Sequence, residues 1–140
     1  MIWKKEFTVK DLNDFRNDTL VGHLDIQFIE KGEDFLSAAM PVDGRTRQPM
    51  GLLHGGASVV LAETLGSSAS YMTLAAGQTS VGLEINANHL KSVSDGEVIG
   101  TARPVHLGRS TQVWDIDIQD QNQERICISR LTMAVLKSEN

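Results

Sequence analysis

A single carboxylate, Glu63, lies in the middle of an apolar, small-residue segment, GLLHGGASVVLAETLGS over residues 51–67. Between Arg47 and Glu84 it is the only residue with a formal charge, His54 aside, and no lysine or arginine stands three or four positions from it. A carboxylate in such a setting must be solvated, take up a proton, or face a cleft that uses it. The pattern therefore favours a general base or nucleophile, with an exposed helix face as the alternative.

Two further features of this segment could take part in the same chemistry. Ser67 follows Glu63 by four residues, so it shares the helix face and is either a hydrogen-bonding partner or a small packing residue. His54, Gly55 and Gly56 precede the apolar periodicity, and the first backbone N–H groups of a helix have no partner within it. Such groups stabilise an oxyanion, and glycine allows a carbonyl group to approach them closely.

Basic and hydroxyl residues collect at one predicted turn. The stretch GRST over residues 108–111 offers backbone amides, two hydroxyls and a guanidinium, which together suit phosphate oxygens. With Lys91 and His89 this turn is expected to form a small basic patch. An ordinary hairpin turn with a solvated arginine is the alternative.

The elements that must position these residues form one α+β domain over residues 1–140. Apolar spacing behind Thr8 predicts a short helix over 8–16, the apolar segment predicts one long helix, and Gly32 supplies a turn between the first two strands. One sheet face is buried against the long helix, which we expect the curved sheet to surround on nearly every side. Short, turn-rich separators predict antiparallel hairpins between the later strands, and the first of these alternates apolar Val81, Leu83, Ile85 and Ala87 with polar neighbours. The predicted strands are 25–31, 34–42, 81–93, 97–106, 110–119 and 125–137.

The composition limits the classes of function. A net charge of −5 and a pI near 5.3 argue against a nucleic-acid groove or a polybasic membrane surface. The single cysteine cannot form an internal disulfide, and the first residues lack an apolar core of signal-peptide length, so a cytoplasmic protein is expected. No G-x-S-x-G elbow is present. A metal site is not expected, because no paired ligand spacing links His23, His54, His89, His106 and Cys127.

Three stretches carry a family resemblance: QPMGLLHGGASVVLAETLGS, VGLEINANHLKSV and PVHLGRSTQVWDI. They resemble the hotdog-fold acyl-CoA thioesterases, in the branch that uses a glutamate on the helix, and the resemblance covers essentially the whole chain. It implies an antiparallel sheet wrapped around one long central helix, with dimers paired into a homotetramer. It also implies active sites between subunits, which suits the polar strand face that carries Asn86 and Asn88.

The resemblance also implies a role for individual residues. Glu63 would be the nucleophile or general base, and the Gly55 amide would polarise the thioester carbonyl. Gln48 of a neighbouring subunit would place the carbonyl or the water, with His54 and Ser67 in support. Contacts with coenzyme A are implied at the backbone of Gly82 and in two stretches. The first stretch consists of His89, Leu90, Lys91 and Ser92. The second consists of His106, Leu107, Gly108, Arg109, Ser110 and Thr111. Lys91 stands where relatives often carry arginine, so the charge is kept but bidentate phosphate contact is lost.

The acyl group is left open by the sequence. The resemblance favours an aromatic acyl-CoA, with 1,4-dihydroxy-2-naphthoyl-CoA of menaquinone biosynthesis as the expected substrate. An aryl group on acyl carrier protein, as in proofreading during enterobactin synthesis, is the alternative. A hotdog hydratase or dehydratase and a non-catalytic acyl-CoA-binding protein are further alternatives, although the chain has no spare length or basic charge for a DNA-binding segment. No separate cofactor is expected, because coenzyme A is part of the substrate, and the pocket walls are expected among Val59, Val60, Leu61 and Tyr71.

Overall fold

The apolar segment that follows His54 forms one long helix, and a six-stranded antiparallel sheet packs against it. The computed structural model describes residues 1–138. In chain order the elements are α1 (Val9–Asn13), α2 (Leu20–His23), β1 (Gln27–Lys31), β2 (Leu36–Pro41), α3 (Gly55–Met72), β3 (Gln78–His89), β4 (Glu97–Leu107), β5 (Thr111–Gln119) and β6 (Arg125–Lys137). The α+β architecture and the hotdog arrangement are therefore confirmed.

The order of strands across the sheet is β1-β2-β4-β5-β6-β3. The predicted hairpins β1–β2, β4–β5 and β5–β6 are confirmed. The predicted hairpin between the third and fourth strands is wrong, because β3 pairs with β6 at one edge while β4 lies between β2 and β5. Residues 90–96 instead cross to the other half of the sheet. They are held by hydrogen bonds from Leu90 N–H to Ile126 O (2.8 Å) and from Leu53 N–H to Val93 O (2.7 Å).

Strand β3 does not present one apolar face along its whole length. Its pairing with β6 shifts directly after Gly82, which leaves Leu83 as a bulged residue. Gly82 faces α3 before the bulge, and Ile85 and Ala87 pack against the core after it. Val81 and Leu83 are 47% and 61% exposed, so the predicted alternation is wrong for the first half of the strand.

Helix α3 lies very close to the sheet because glycine stands at the contacts between them. A Cβ atom at Gly66 would lie 2.5 Å from Leu131 Cδ2, and one at Gly100 would lie 2.7 Å from Leu65 Cδ1. The sheet covers only one half of the helix, so the expected enclosure on nearly every side is wrong within residues 1–138. The opposite half, which includes Glu63, is partly exposed. The buried half consists of Ala57, Ser58, Leu61, Ala62, Leu65, Gly66, Ala69 and Ser70.

A buried chain of hydrogen bonds ties the end of α3 to strand β5. Trp114 Nε1–H donates to Gln112 Oε1 (3.0 Å), and Gln112 Nε2–H donates to Thr73 Oγ1 (2.9 Å). The Thr73 hydroxyl in turn donates to Ser70 O (2.7 Å). All four residues are buried, so each polar atom of this chain depends on its neighbour in place of water.

Two short helices precede the sheet. The predicted N-cap of the first is confirmed, because Thr8 and Asp11 form a reciprocal capping box. That helix ends at Asn13, earlier than predicted, and α2, capped by Thr19, was not predicted. None of the helices within residues 1–138 is long and apolar enough to cross a membrane.

Candidate active site

The N-terminus of α3 leaves one backbone N–H group available. The His54 side chain is the N-cap and accepts a hydrogen bond from Gly56 N–H through Nδ1 (2.8 Å). The N–H groups of Ala57 and Ser58 both donate to His54 O, at 3.0 and 3.2 Å. Among the described residues, none accepts a hydrogen bond from Gly55 N–H. This N–H group, at the positive end of the helix dipole, is therefore available to the oxygen of a ligand.

The ring of His89 lies directly against Gly55. A Cβ atom at Gly55 would come 2.8 Å from His89 Nε2 and 3.0 Å from its Cε1. Gly55 does not have a positive φ, so the close ring, and not the backbone conformation, requires glycine here. The end of β3 and the start of α3 are thereby brought into contact.

A tight loop before α3 fixes the Gln48 carboxamide. Gln48 N–H donates to Leu52 O (2.8 Å), and Gly51, with a φ of 85°, closes the turn with a bond from its N–H to Gln48 O (2.9 Å). The Gln48 side-chain oxygen accepts a hydrogen bond from Met50 N–H. Its oxygen being occupied, the side chain offers its Nε2 donors to a ligand.

A cavity of about 350 Å³ brings this cluster together. Of the residues implied by the family resemblance, it is lined by Gln48, Gly55, His89, Leu90, Lys91 and Ser92. Sequence reasoning missed five further lining residues, which reach the cavity through tertiary contacts that carry no local signal: Leu52, Leu53, Ser58, Val93 and Ile126.

Glu63 lies outside this cavity, on the partly exposed half of α3. It is eight residues from Gly55, which corresponds to about 12 Å along the helix axis. Glu63 Oε1 instead lies beside Gly82, at 3.3 Å from the position that a Cβ atom there would take. The Ser67 hydroxyl points to Met133 Sδ (3.9 Å), a weak acceptor that sequence reasoning did not identify. Glu63 and Gly55 therefore lie on two separate parts of the chain's surface.

The ammonium group of Lys91 is already paired. Lys91 Nζ lies 2.9 Å from Asp120 Oδ2 and 2.7 Å from Glu124 Oε2. Hydrogen bonds to these two carboxylates raise the pKa of Lys91, and the bond to Lys91 lowers the pKa of Asp120. A phosphate group would have to share this cation with two carboxylates.

The two predicted coenzyme A stretches lie at opposite ends of the sheet in one chain. His89 is opposite Cys127, which pairs with Ile118 near the end of β5, whereas the turn before Thr111 lies at the start of β5. The nine residues of β5 correspond to about 26 Å. The expected basic patch of Arg109 with Lys91 and His89 therefore does not form within a single chain. In the turn itself Gly108 N–H donates to Thr111 O (2.9 Å), and His106, Leu107, Arg109 and Ser110 are exposed.

Two other expected features lie elsewhere. Asn86 and Asn88 line a depression of about 930 Å³ on the sheet face away from α3, so they do not face Glu63. Leu61 is fully buried in the core, and Val59, Val60 and Tyr71 are partly exposed on α3; none of the four lines the cavity or the depression. Within residues 1–138 no group of three or more histidine, cysteine, aspartate or glutamate residues could hold a metal ion.

Comparison with known proteins identifies the family to which the sequence is similar. The profile of the family described as "Thioesterase superfamily" matches residues 50–127, which include Glu63 and every residue that lines the cavity except Gln48. The 1,4-dihydroxy-2-naphthoyl-CoA hydrolase of Escherichia coli is 54% identical, and the match covers 97% of this chain and 100% of the relative. The proofreading thioesterase EntH of Cronobacter turicensis is also 54% identical, with 97% and 99% covered. The crystal structure of a thioesterase from Haemophilus influenzae superimposes with a TM-score of 0.97 at 50% identity, covering 100% of this chain and 98% of that one.

Proposed function

Because the chain belongs to the thioesterase superfamily, we propose that it hydrolyses an aromatic acyl-CoA thioester, with 1,4-dihydroxy-2-naphthoyl-CoA as the substrate. It is a thioester hydrolase, as its homologues and structural neighbours are. The Escherichia coli relative supports the naphthoyl substrate. The equally similar proofreading thioesterase is the reason to keep a second candidate, an aryl group on acyl carrier protein. A cytoplasmic location is part of the same proposal.

One observation carries the proposal: on the same helix, about 12 Å apart, lie an N–H group without an acceptor and a carboxylate without a cationic partner among residues 1–138. Thioester hydrolysis needs a donor for the oxygen that becomes negative and a base or nucleophile near the carbonyl carbon. Gly55 and Glu63 supply both groups, but one chain cannot bring them to the same carbonyl. A second copy is required to complete the site.

The edge strand β3 offers the way to build such a dimer. It is 12 residues long, pairs only with β6 among the described strands, and exposes Val81 and Leu83. Antiparallel pairing of two β3 strands about a twofold axis places the His89 end of one strand beside the first half of the other, which contains Gly82. The Gly55 cavity then faces Glu63 of the partner subunit, and residues 106–111 of one copy approach residues 89–92 of the other.

Pairing of two such dimers into a homotetramer belongs to the same proposal. The outer sheet face carries acids and bases side by side, with Arg130 Nε at 2.9 Å from Asp115 Oδ1 and Arg125 Nη2 at 2.7 Å from Asp117 Oδ2. A face of alternating charge is complementary to a copy of itself, which supports this surface as the contact between dimers.

In the proposed reaction the carbonyl oxygen accepts hydrogen bonds from Gly55 N–H and from Gln48 Nε2 of one subunit. Glu63 of the partner subunit then follows one of two routes. It attacks the carbonyl carbon, which expels the thiolate and forms a mixed anhydride that water cleaves. Alternatively it takes a proton from water while the water oxygen bonds to that carbon and the C–S bond breaks. Either route consumes one water molecule and yields the carboxylic acid and the thiol.

The surroundings of Glu63 support an aromatic acyl group. The exposed half of α3 places Val60 and Ser67 beside Glu63, with Tyr71 one turn further along. These side chains offer a narrow stripe of apolar and small residues, which suits a flat ring. For the coenzyme A phosphates, Arg109 is exposed and forms no ion pair within residues 1–138, so it is the proposed cation.

The experiment that tests the proposal measures thiol release from aryl-CoA, aliphatic acyl-CoA and aryl-acyl carrier protein substrates. Glu63→Ala should lower kcat for the preferred substrate by at least about 1000-fold, because it removes the base or nucleophile. Glu30→Ala, which removes an exposed carboxylate on β1, is the matched control and should leave kcat unchanged. Undiminished thiol release by Glu63→Ala would refute the catalytic assignment.

The two routes are separated by a single turnover in labelled water. Label found in Glu63 after one turnover supports the mixed anhydride, because water that opens the anhydride at the Glu63 carbonyl leaves its oxygen in the side chain. Label found only in the product supports the general-base route.

A further inference from the structure

Gly82, on strand β3, lies against the Glu63 carboxylate. A Cβ atom at Gly82 would stand 3.3 Å from Glu63 Oε1, which is tighter than an ordinary contact. The same atom would lie 3.9 Å from Met133 Sδ and 4.0 Å from Leu131 Cδ1, both of which are buried. The missing side chain at Gly82 thus leaves the space that the carboxylate occupies.

The backbone does not explain the glycine. The glycines with positive φ are Gly51, Gly77 and Gly96, and Gly82 is not among them. Its direction follows from the bulge at Leu83, because residues before the bulge alternate in a register that turns Gly82 toward α3. The requirement for glycine at this position is therefore one of space and not of conformation.

Packing alone holds the Glu63 carboxylate. Among the described residues, none forms a hydrogen bond or an ion pair with it, and the Ser67 hydroxyl is directed at Met133 Sδ. A carboxylate without polar anchors takes its position from the walls around it. The wall formed by Gly82 therefore sets how far the carboxylate can withdraw toward the sheet.

We propose that Gly82 is a positioning residue for Glu63, and that its lack of a side chain sets the place of the carboxylate relative to the thioester carbonyl. This inference rests on the proposed function. It differs from a backbone contact with coenzyme A, because it acts on the chemical step and not on binding of the substrate.

The test is a series of side chains of increasing size at this position. Gly82→Ala should displace the carboxylate by a few tenths of an ångström and lower kcat about 10-fold with KM unchanged, and Gly82→Val should lower kcat by about 100-fold or more. Gly44→Ala is the matched control, because a Cβ atom at Gly44 meets no atom within 4 Å and its φ is not positive. Molecular mass measured by light scattering confirms that each variant assembles as the wild type does.

A second measurement does not depend on activity. If the methyl group that Gly82→Ala introduces presses on Glu63, then this substitution should lower the Tm in the wild-type background and not in the Glu63→Ala background. The same loss of Tm in both backgrounds, or a rise in KM with kcat unchanged, would overturn the positioning role. An inactive Glu63→Ala beside a fully active Gly82→Ala overturns this inference alone, whereas a fully active Glu63→Ala overturns the proposed function as well.

Discussion

Two inactive variants of this protein should restore each other's activity when they assemble together. Glu63→Ala removes the carboxylate, and Gln48→Ala removes one carbonyl donor, which costs about 100-fold to 1000-fold. The separation of Gly55 from Glu63 places the two lesions in different halves of the proposed site. A hybrid dimer then contains one site with both lesions and one intact site. Random mixing in equal amounts makes half of the dimers hybrid, so about a quarter of wild-type activity should return.

The assay dissociates the two variants in mild denaturant, mixes them in equal amounts, allows them to reassociate and follows thiol release. Subunit exchange is followed separately by native mass spectrometry, with one of the two variants labelled with ¹⁵N. A mixture of Glu63→Ala with the active Glu30→Ala chain controls for recovery after the denaturant and should retain about half of wild-type activity. If both residues serve a site within their own chain, every hybrid site carries one lesion. Activity that stays at the mean of the two parents, while the mass spectrum shows half of the dimers to be hybrid, would refute the assignment of Gln48 and Glu63 to different subunits.

Two further predictions concern stability. His54→Ala should lower the free energy of unfolding in urea by about 1 kcal/mol, because Gly56 N–H loses its cap, whereas His54→Asn supplies another capping oxygen and should cost much less; equal losses would contradict the capping role. The second prediction concerns pH, because the hydrogen bond from Lys91 lowers the pKa of Asp120 in the folded protein. The stability that this pair contributes is complete above the pKa of Asp120 in the unfolded chain. It is lost as the pH falls through the lower pKa of the folded protein. Lys91→Met should therefore flatten the loss of stability that begins below about pH 4, and an unchanged acid limb in denaturation curves would count against it.

The sequence predicts most of the fold because periodicity and turn chemistry are local. The strands β4, β5 and β6 begin and end within a residue or two of their predicted bounds, since each carries alternating side chains between turn-rich separators. The position of β3 in the sheet is not local information. The residues between β3 and β4 do not indicate that β3 pairs with β6 and not with β4. The bulge at Leu83 is likewise decided by the pairing with β6.

The candidate site divides in the same way. The helix start at Gly55 and the isolated carboxylate of Glu63 follow from residue types and spacing, whereas the cap by His54 was not predicted. The prediction that Lys91 binds phosphate does not account for its ion pairs with Asp120 and Glu124. These two residues lie in the turn between β5 and β6, which is distant from Lys91 in the sequence and comes close to it only in the folded chain. Spacing along the helix also indicates that the two chemical groups lie about 12 Å apart, and the packing explains why only another chain can join them.

The buried hydrogen bonds between Trp114, Gln112 and Thr73 have a consequence for the uniqueness of the fold. The face of α3 that meets the sheet is built of small and aliphatic side chains, which by themselves discriminate weakly between alternative helix positions. Sliding or rotating the helix would separate Thr73 from Gln112 and leave buried polar groups unpaired, at about 1–3 kcal/mol for each group. The network therefore favours one position of the helix along its axis over its neighbours. The position that the network favours is the one that brings Glu63 against Gly82.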